Sequence, residues 1–160
     1  MLLNRNTIFP AAVTAKPIQY ALGALRRDFD RIFAATAAPG GRLLLTINHT
    51  LAAEQYTLTA GTDTLLLSAS DDLGFVYGRF EISRRFLGVQ PFWFWNDQPF
   101  ELRESVKILT NTVIESKPAR VTYRGWFIND ETLLSHWKVE RRANLPFVMA
   151  FETLLRLGGN

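Results

Sequence analysis

Two short stretches hold the residues whose types and spacing suit chemistry: Phe92-Trp93-Phe94-Trp95-Asn96-Asp97 and Tyr123-Arg124-Gly125-Trp126-Phe127-Ile128-Asn129-Asp130-Glu131. Four consecutive aromatics closed by Asn-Asp describe the mouth of a site better than the middle of a core. The second stretch reads as an apolar strand whose last residues turn abruptly polar, as a barrel strand does when it delivers polar groups to a ligand-binding end. Flat rings packed on C–H faces and carboxylates accepting hydroxyl protons together suit sugars. Asp130 is the candidate catalytic residue, because strand alternation sets it and Asn129 on opposite faces at the strand's C-terminal end; the competing reading is an Asp that caps the following turn. Asn129, Glu131, Trp95 and Arg124 are the candidate substrate-binding residues. In an extended run Trp93 and Trp95 share one face and Phe92 and Phe94 the other, so three of the four rings are expected to pack and Trp95 to lie nearest a sugar. Arg124 suits a carboxylate, with a protein Asp favoured over a substrate's.

Composition excludes several other chemistries. The 160 residues contain no cysteine, which removes disulfides, thiolate metal sites and cysteine nucleophiles. His49 and His136, the two histidines, have no partner at ligand spacing, so no metal is expected. Neither Gly74-x-x-x-Gly78 nor Gly158-Gly159 is a phosphate-binding fingerprint, and no cofactor is implied. The net charge is +3, but Arg26, Arg27 and Arg31 alternate with Asp28 and Asp30 as on a solvated helix face, unlike a nucleic-acid-binding patch. No apolar run reaches the ~20 residues that span a bilayer, and no signal peptide is evident, so as written the chain reads as cytoplasmic. Asn48-His49-Thr50 is a formal glycosylation sequon.

The elements that would position these residues follow from periodicity. Thr7 to Val13 reads as a short strand interrupted by Pro10. Ile18, Leu22, Leu25, Phe29 and Ile32 recur at helical spacing, giving a helix from about Pro17 to Ala35. Strands are expected at Arg42–Asn48, Gln55–Thr59 and Thr64–Ser70, the last two joined at Gly61-Thr62-Asp63. Asp71 or Asp72 caps a second helix, Leu73 to Leu87, which Gly88 ends. In that helix Gly74 and Gly78 share a face and would admit a sheet closely. Ser105 to Glu115 alternates as one strand, Val121 to Ile128 as another, and Pro146 opens a final helix; Thr132 to Arg142 reads as irregular or a short helical turn. The class is α+β, a small sheet with two helices on one face.

Tyr56-Thr57-Leu58, Thr64 to Ala69 and Asp72-Leu73-Gly74-Phe75-Val76-Tyr77-Gly78 resemble the small non-catalytic α+β domain that precedes the barrel in β-hexosaminidases and α-glucuronidases. Gly88-Val89-Gln90-Pro91-Phe92-Trp93-Phe94-Trp95-Asn96-Asp97-Gln98-Pro99 and Tyr123 to Glu131 are similar, more specifically, to glycoside hydrolase family 115, the α-glucuronidases that act on xylan. The resemblance implies a β-hexosaminidase domain-2-like accessory domain over residues 1–118. Residues 119–160 would then open a (β/α)8 barrel, with Val121 to Ile128 its first strand and Pro146 to Leu157 its first helix. A whole barrel takes about 250 residues, so the chain is expected to be a front fragment, with carbohydrate the partner of the parent enzyme. Glycoside hydrolysis needs two carboxylates about 5 to 9.5 Å apart, and the adjacent Asp130 and Glu131 point apart in a strand. The chain alone is therefore expected to be inactive. The alternative is a stand-alone α+β glycan- or protein-binding module using Trp93, Trp95 and Trp126. Apolar barrel surface left uncovered would favour a homo-oligomer.

Overall fold

In the computed structural model, the described residues are 1–10, 14–129, 131–139, 141–142 and 144–160. The expected Thr7–Val13 strand runs partly outside them. Within them the chain pairs at two points, Leu2–Leu3 (β1) and an isolated parallel bridge from Ile8 to Arg42.

The apolar stripe beginning at Ile18 becomes α1, Lys16–Ile32, opened by a proline in its first turn and burying Ile18, Leu25, Phe29 and Ile32. Three strands follow: β2 Arg42–Ile47, β3 Tyr56–Ala60 and β4 Thr64–Ala69. With β6, Val113–Glu115, they form one sheet in the order β2-β4-β3-β6. β3 and β4 are an antiparallel hairpin pairing Leu58 with Leu67, closed where Gly61 N–H donates to the Thr64 carbonyl at 2.8 Å. β2 runs parallel to β4, with Leu43 opposite Leu65.

Period-two alternation gives the sheet two unlike faces. Leu43, Leu58, Ala60, Leu65, Leu67 and Ala69 point into the core, whereas Leu44 is 43% exposed on the other side. The inner face is covered by α2, Asp72–Ile82, and its continuation as a single π-helical turn, Ser83–Leu87. Asp71 caps α2 by accepting from Gly74 N–H at 2.9 Å. A Cβ on Gly74 would sit 2.5 Å from the Gln55 carbonyl, and one on Gly78 would overlap Leu67, so both glycines are what lets α2 lie against β3 and β4. Gly88 ends the turn at φ +76°.

Three segments depart from expectation. The alternating run 105–115 is two strands, not one. Val106–Lys107 (β5) pairs with β1, the chain reverses at Asn111 (φ 67°), and β6 then joins β3. Alternation persisted through a turn that a tolerant Asn makes affordable. Val121 to Ile128 forms no strand: its Arg124 backbone bonds to Asn160 rather than to a neighbouring strand, and Tyr123 and Phe127 stand 89% and 87% exposed. The strand expected to open a barrel is thus absent from residues 121–128. Phe92 to Asp97 is coiled rather than extended, with Trp93 N–H on the Gln90 carbonyl and Trp95 N–H on the Phe92 carbonyl. The short helix α3, Glu131–Ser135, and the helix α4, Leu145–Arg156, complete the chain.

α4 packs on α2 and is joined to α1 through charge, correcting the solvated-face reading of α1. Asp28 and Glu152 are fully buried, and Arg156 reaches both, at 2.6 and 2.9 Å. Arg27 holds Glu152 at 2.6 Å from the rim, and Tyr20 donates to it at 3.2 Å. Burial would push the Glu152 carboxyl up, but Arg156 and Arg27 more than reverse this and hold it below the usual carboxylate range. The same surroundings raise the Tyr20 phenol to about 12, through burial first and the Glu152 charge second. Arg79 of α2 is the exception. It is fully buried with the Ile18 carbonyl as its hydrogen-bond partner, its Nε and Nη2 have none among the described residues, and burial lowers it to about 10.

Candidate functional site

The aromatic stretch hangs from the C-terminus of the π-helical turn. Gln98 fastens it, accepting from Gln90 N–H at 2.9 Å and donating to the Gly88 carbonyl at 2.8 Å. Because Phe92 to Asp97 turns, its rings fan outward instead of alternating between two faces. Trp93 goes inward and is 7% exposed, with the Arg31 guanidinium 3.9 Å above its ring and Arg27 at 5.2 Å. Its indole N–H is buried without an acceptor among the described residues. Trp95 is half-buried and donates to Thr153 Oγ1 of α4 at 3.0 Å. Three of the four rings do pack; the outward one is Phe92, stacked on Trp126 at 6.5 Å, rather than Trp95.

Trp137, which follows α3, closes over this group at 5.7 Å from both Phe94 and Trp95. The result is an open pocket of about 390 Å³ walled by Trp93, Phe94, Phe100 and Trp137, with Arg31, Asp97 and Gln98 supplying polar edges. Asp97 is exposed, at φ +46°, and its carboxylate makes no hydrogen bond among the described residues. That left-handed backbone is uncommon for a residue other than glycine and recurs at functional sites.

Arg124 lies elsewhere. Its guanidinium ion-pairs with Glu54, donates to the Gly158 carbonyl at 2.7 Å and reaches the Tyr77 hydroxyl at 3.3 Å. Tyr77 in turn donates to the Gly159 carbonyl at 2.8 Å, and Asn160 exchanges bonds with the Arg124 backbone at 3.0 and 3.1 Å. These ties border a cleft of about 260 Å³ that also takes in Tyr56, Glu81 and Lys117. Burial, aided by the Glu81 charge, raises the Tyr56 phenol to about 12. Both carboxylates of this cleft are engaged, Glu54 by Arg124 and Glu81 by Arg84 and Arg85.

Of the other expected site residues, Asn129 is exposed on the irregular segment, Asp130 lies outside the described residues, and Glu131 begins α3. Trp95 and Arg124 share no partner among the described residues. Sequence reasoning missed Trp137, whose segment carries no periodicity, and Arg31, whose place over Trp93 depends on how α1 docks. Among the described residues no three His, Asp or Glu side chains converge to hold a metal ion, and no helix is long and apolar enough to cross a membrane.

Comparison with known proteins gives likenesses of two kinds, to a family and to a solved structure. The family model described as glycosyl hydrolase family 115 matches residues 116–160. A solved structure, described as a novel family 115 4-O-methyl-α-glucuronidase with specificity for decorated arabinogalactans, matches all of this chain and 25% of its own, at 23% identity and TM-score 0.80. The chain thus spans about a quarter of the length of that structure. At this identity the likeness is one of fold. No match to a curated protein was found.

Proposed function

We propose that these residues are the front portion of an α-glucuronidase-like glycoside hydrolase, with no catalysis of their own. The observation that carries the reading is a coincidence of place. The family 115 match, residues 116–160, covers the segment from Arg124 to Glu131 that was singled out for its chemistry, in a chain whose whole fold follows one family 115 structure. In this reading residues 1–118 are an accessory α+β domain and 119–160 begin the catalytic barrel. Asp130 serves catalysis, Asn129, Glu131 and Trp95 meet the substrate, and Arg124 holds the segment to Glu54. Carbohydrate is the partner, a uronic acid-bearing polysaccharide by analogy with the relative's activity on decorated arabinogalactans.

The carboxylates of the Arg124 cleft and of the α1–α4 cluster support inactivity of the chain alone. Glycoside hydrolysis needs an acid and a base flanking one bond, yet Asp28, Glu54, Glu81 and Glu152 are all occupied by arginines. The test measures uronic acid release from glucuronoxylan and arabinogalactan by the 160-residue chain and by the full product of its reading frame. Release is expected only from a longer product, and Asp130→Asn should abolish it. Release by the chain itself would overturn the inactive reading, and no release by a longer product from either glycan would overturn the hydrolase reading.

A further inference from the structure

We infer that the pocket between Trp93, Phe94, Phe100 and Trp137 is a binding site for a neutral sugar ring of a polysaccharide chain, with Trp137 as its platform and Asp97 as its hydroxyl acceptor. The inference takes its ligand class from the carbohydrate reading above and adds a site complete within this chain. At about 390 Å³ the pocket falls within the range of ~300–1,000 Å³ usual for small-molecule sites. It joins an apolar wall to few polar groups, as such sites do.

Each component has a distinct part. Trp137 is 43% exposed although its ring meets Phe94 and Trp95, so it is braced from behind and still presents surface to solvent. A sugar's C–H face packs on such a surface. The Trp93 ring is already occupied by Arg31 at 3.9 Å, which makes it a wall rather than a platform. Asp97 offers at the rim a carboxylate unpaired among the described residues, and Gln98 is spent on holding the loop. An ionised carboxylate is acceptor-only, so it welcomes paired sugar hydroxyls and repels a uronate, while the Arg31 cation lies against the Trp93 ring. The site therefore selects neutral backbone sugars rather than the charged side groups of a decorated glycan. The Arg124 cleft offers no equivalent, since its Glu54 is held by Arg124 and its Glu81 by Arg84 and Arg85.

The four indole N–H resonances of the 160-residue chain report the test directly. The chain is titrated with xylohexaose, cellohexaose, galactohexaose and D-glucuronic acid. Saturable movement of the Trp137 resonance by at least one neutral hexasaccharide is expected, with none from glucuronic acid at equal concentration. Trp137→Ala should abolish binding. Asp97→Gly, which suits the positive φ and so preserves folding, should weaken it at least tenfold without lowering Tm. No saturable shift with any of the three neutral sugars, wild-type affinity in Asp97→Gly, or preference for glucuronic acid would each overturn the inference. Hydrolysis by a longer product with no sugar bound here would sink this site and leave the function standing. Sugar bound here with no hydrolysis would do the reverse.

Discussion

Replacing Glu152 by glutamine keeps the shape of a fully buried side chain and removes one charge from the cluster that joins α1 to α4. Glu152 is held by Arg156 at 2.9 Å and by Arg27 at 2.6 Å, and both it and Asp28 are sealed from water. At an effective dielectric of ~20, unit charges about 4 Å apart attract by about 4 kcal/mol. The Arg156 contribution stands near that figure, while the Arg27 contribution is smaller because its side chain is 34% exposed. Against these run the desolvation of the carboxylate and its repulsion by Asp28. Removing one partner of a buried pair commonly costs about 3–5 kcal/mol, and we expect that loss here, out of a total stability of about 5–15 kcal/mol. For a chain of this size it lowers Tm by about 6–20 °C. Urea titration of wild type, Glu152→Gln and the exposed control Glu104→Gln measures it. The pH dependence supplies a second check. The folded carboxyl titrates below its ordinary value of 4.5, so its contribution is complete above that pH and drains away as pH falls through the folded value. The deficit of Glu152→Gln should therefore be full at pH 7 and shrink below pH 4.5. A loss under ~1 kcal/mol at pH 7, or a deficit independent of pH, would refute the reasoning.

Other substitutions separate packing from propensity. Gly78→Ala should lose about 1–3 kcal/mol in urea denaturation, since overlap with Leu67 outweighs the gain in helix propensity; a stabilised variant would mean the sheet yields. Arg79→Met should be neutral or gain about 1–4 kcal/mol by removing a buried cation with no acid partner, measured in the same way. Asp71→Ala should lose about 0.5–2 kcal/mol with the α2 cap, visible as a lower Tm. In alkaline titration followed by tyrosine absorbance, Tyr20→Phe and Tyr56→Phe should each remove one transition near pH 12. Because both folded phenols titrate above their ordinary value of 10, wild-type stability should fall as pH rises from 10 through 12.

Much of the scaffold was legible because it is written at short range. The Ile18 to Ile32 stripe, the Gly61 hairpin, the Asp71 cap and the paired Gly74 and Gly78 declare their roles within a few residues. What misled was local pattern without long-range context. Val106 to Ile114 alternates throughout, yet Asn111 turns the chain midway and gives its halves to different sheets. Val121 to Ile128 has strand composition and no strand beside it. Asp28 looked solvated among its arginines, because the Arg156 that neutralises it arrives from the far end of the chain. The candidate site divides similarly. The aromatic stretch and Asp97 stood out by composition, whereas Trp137 enters only through tertiary packing, and Arg124 turned to the protein acid Glu54 for reasons no neighbour reveals.

The clamp between α1 and α4 also governs the order of events when the chain folds. It joins residues 128 positions apart, so closing it is a late, entropically costly step. The sheet and α2 involve shorter separations and can assemble earlier. Until α4 arrives, Asp28 and Arg27 remain hydrated and cost nothing. A salt cluster that closes after the rate-limiting barrier contributes little to folding speed. Its effect falls on the escape rate: mutations there should steepen the loss of the native state over time while leaving refolding nearly unchanged. The last helix thus acts as a latch on the lifetime of the fold.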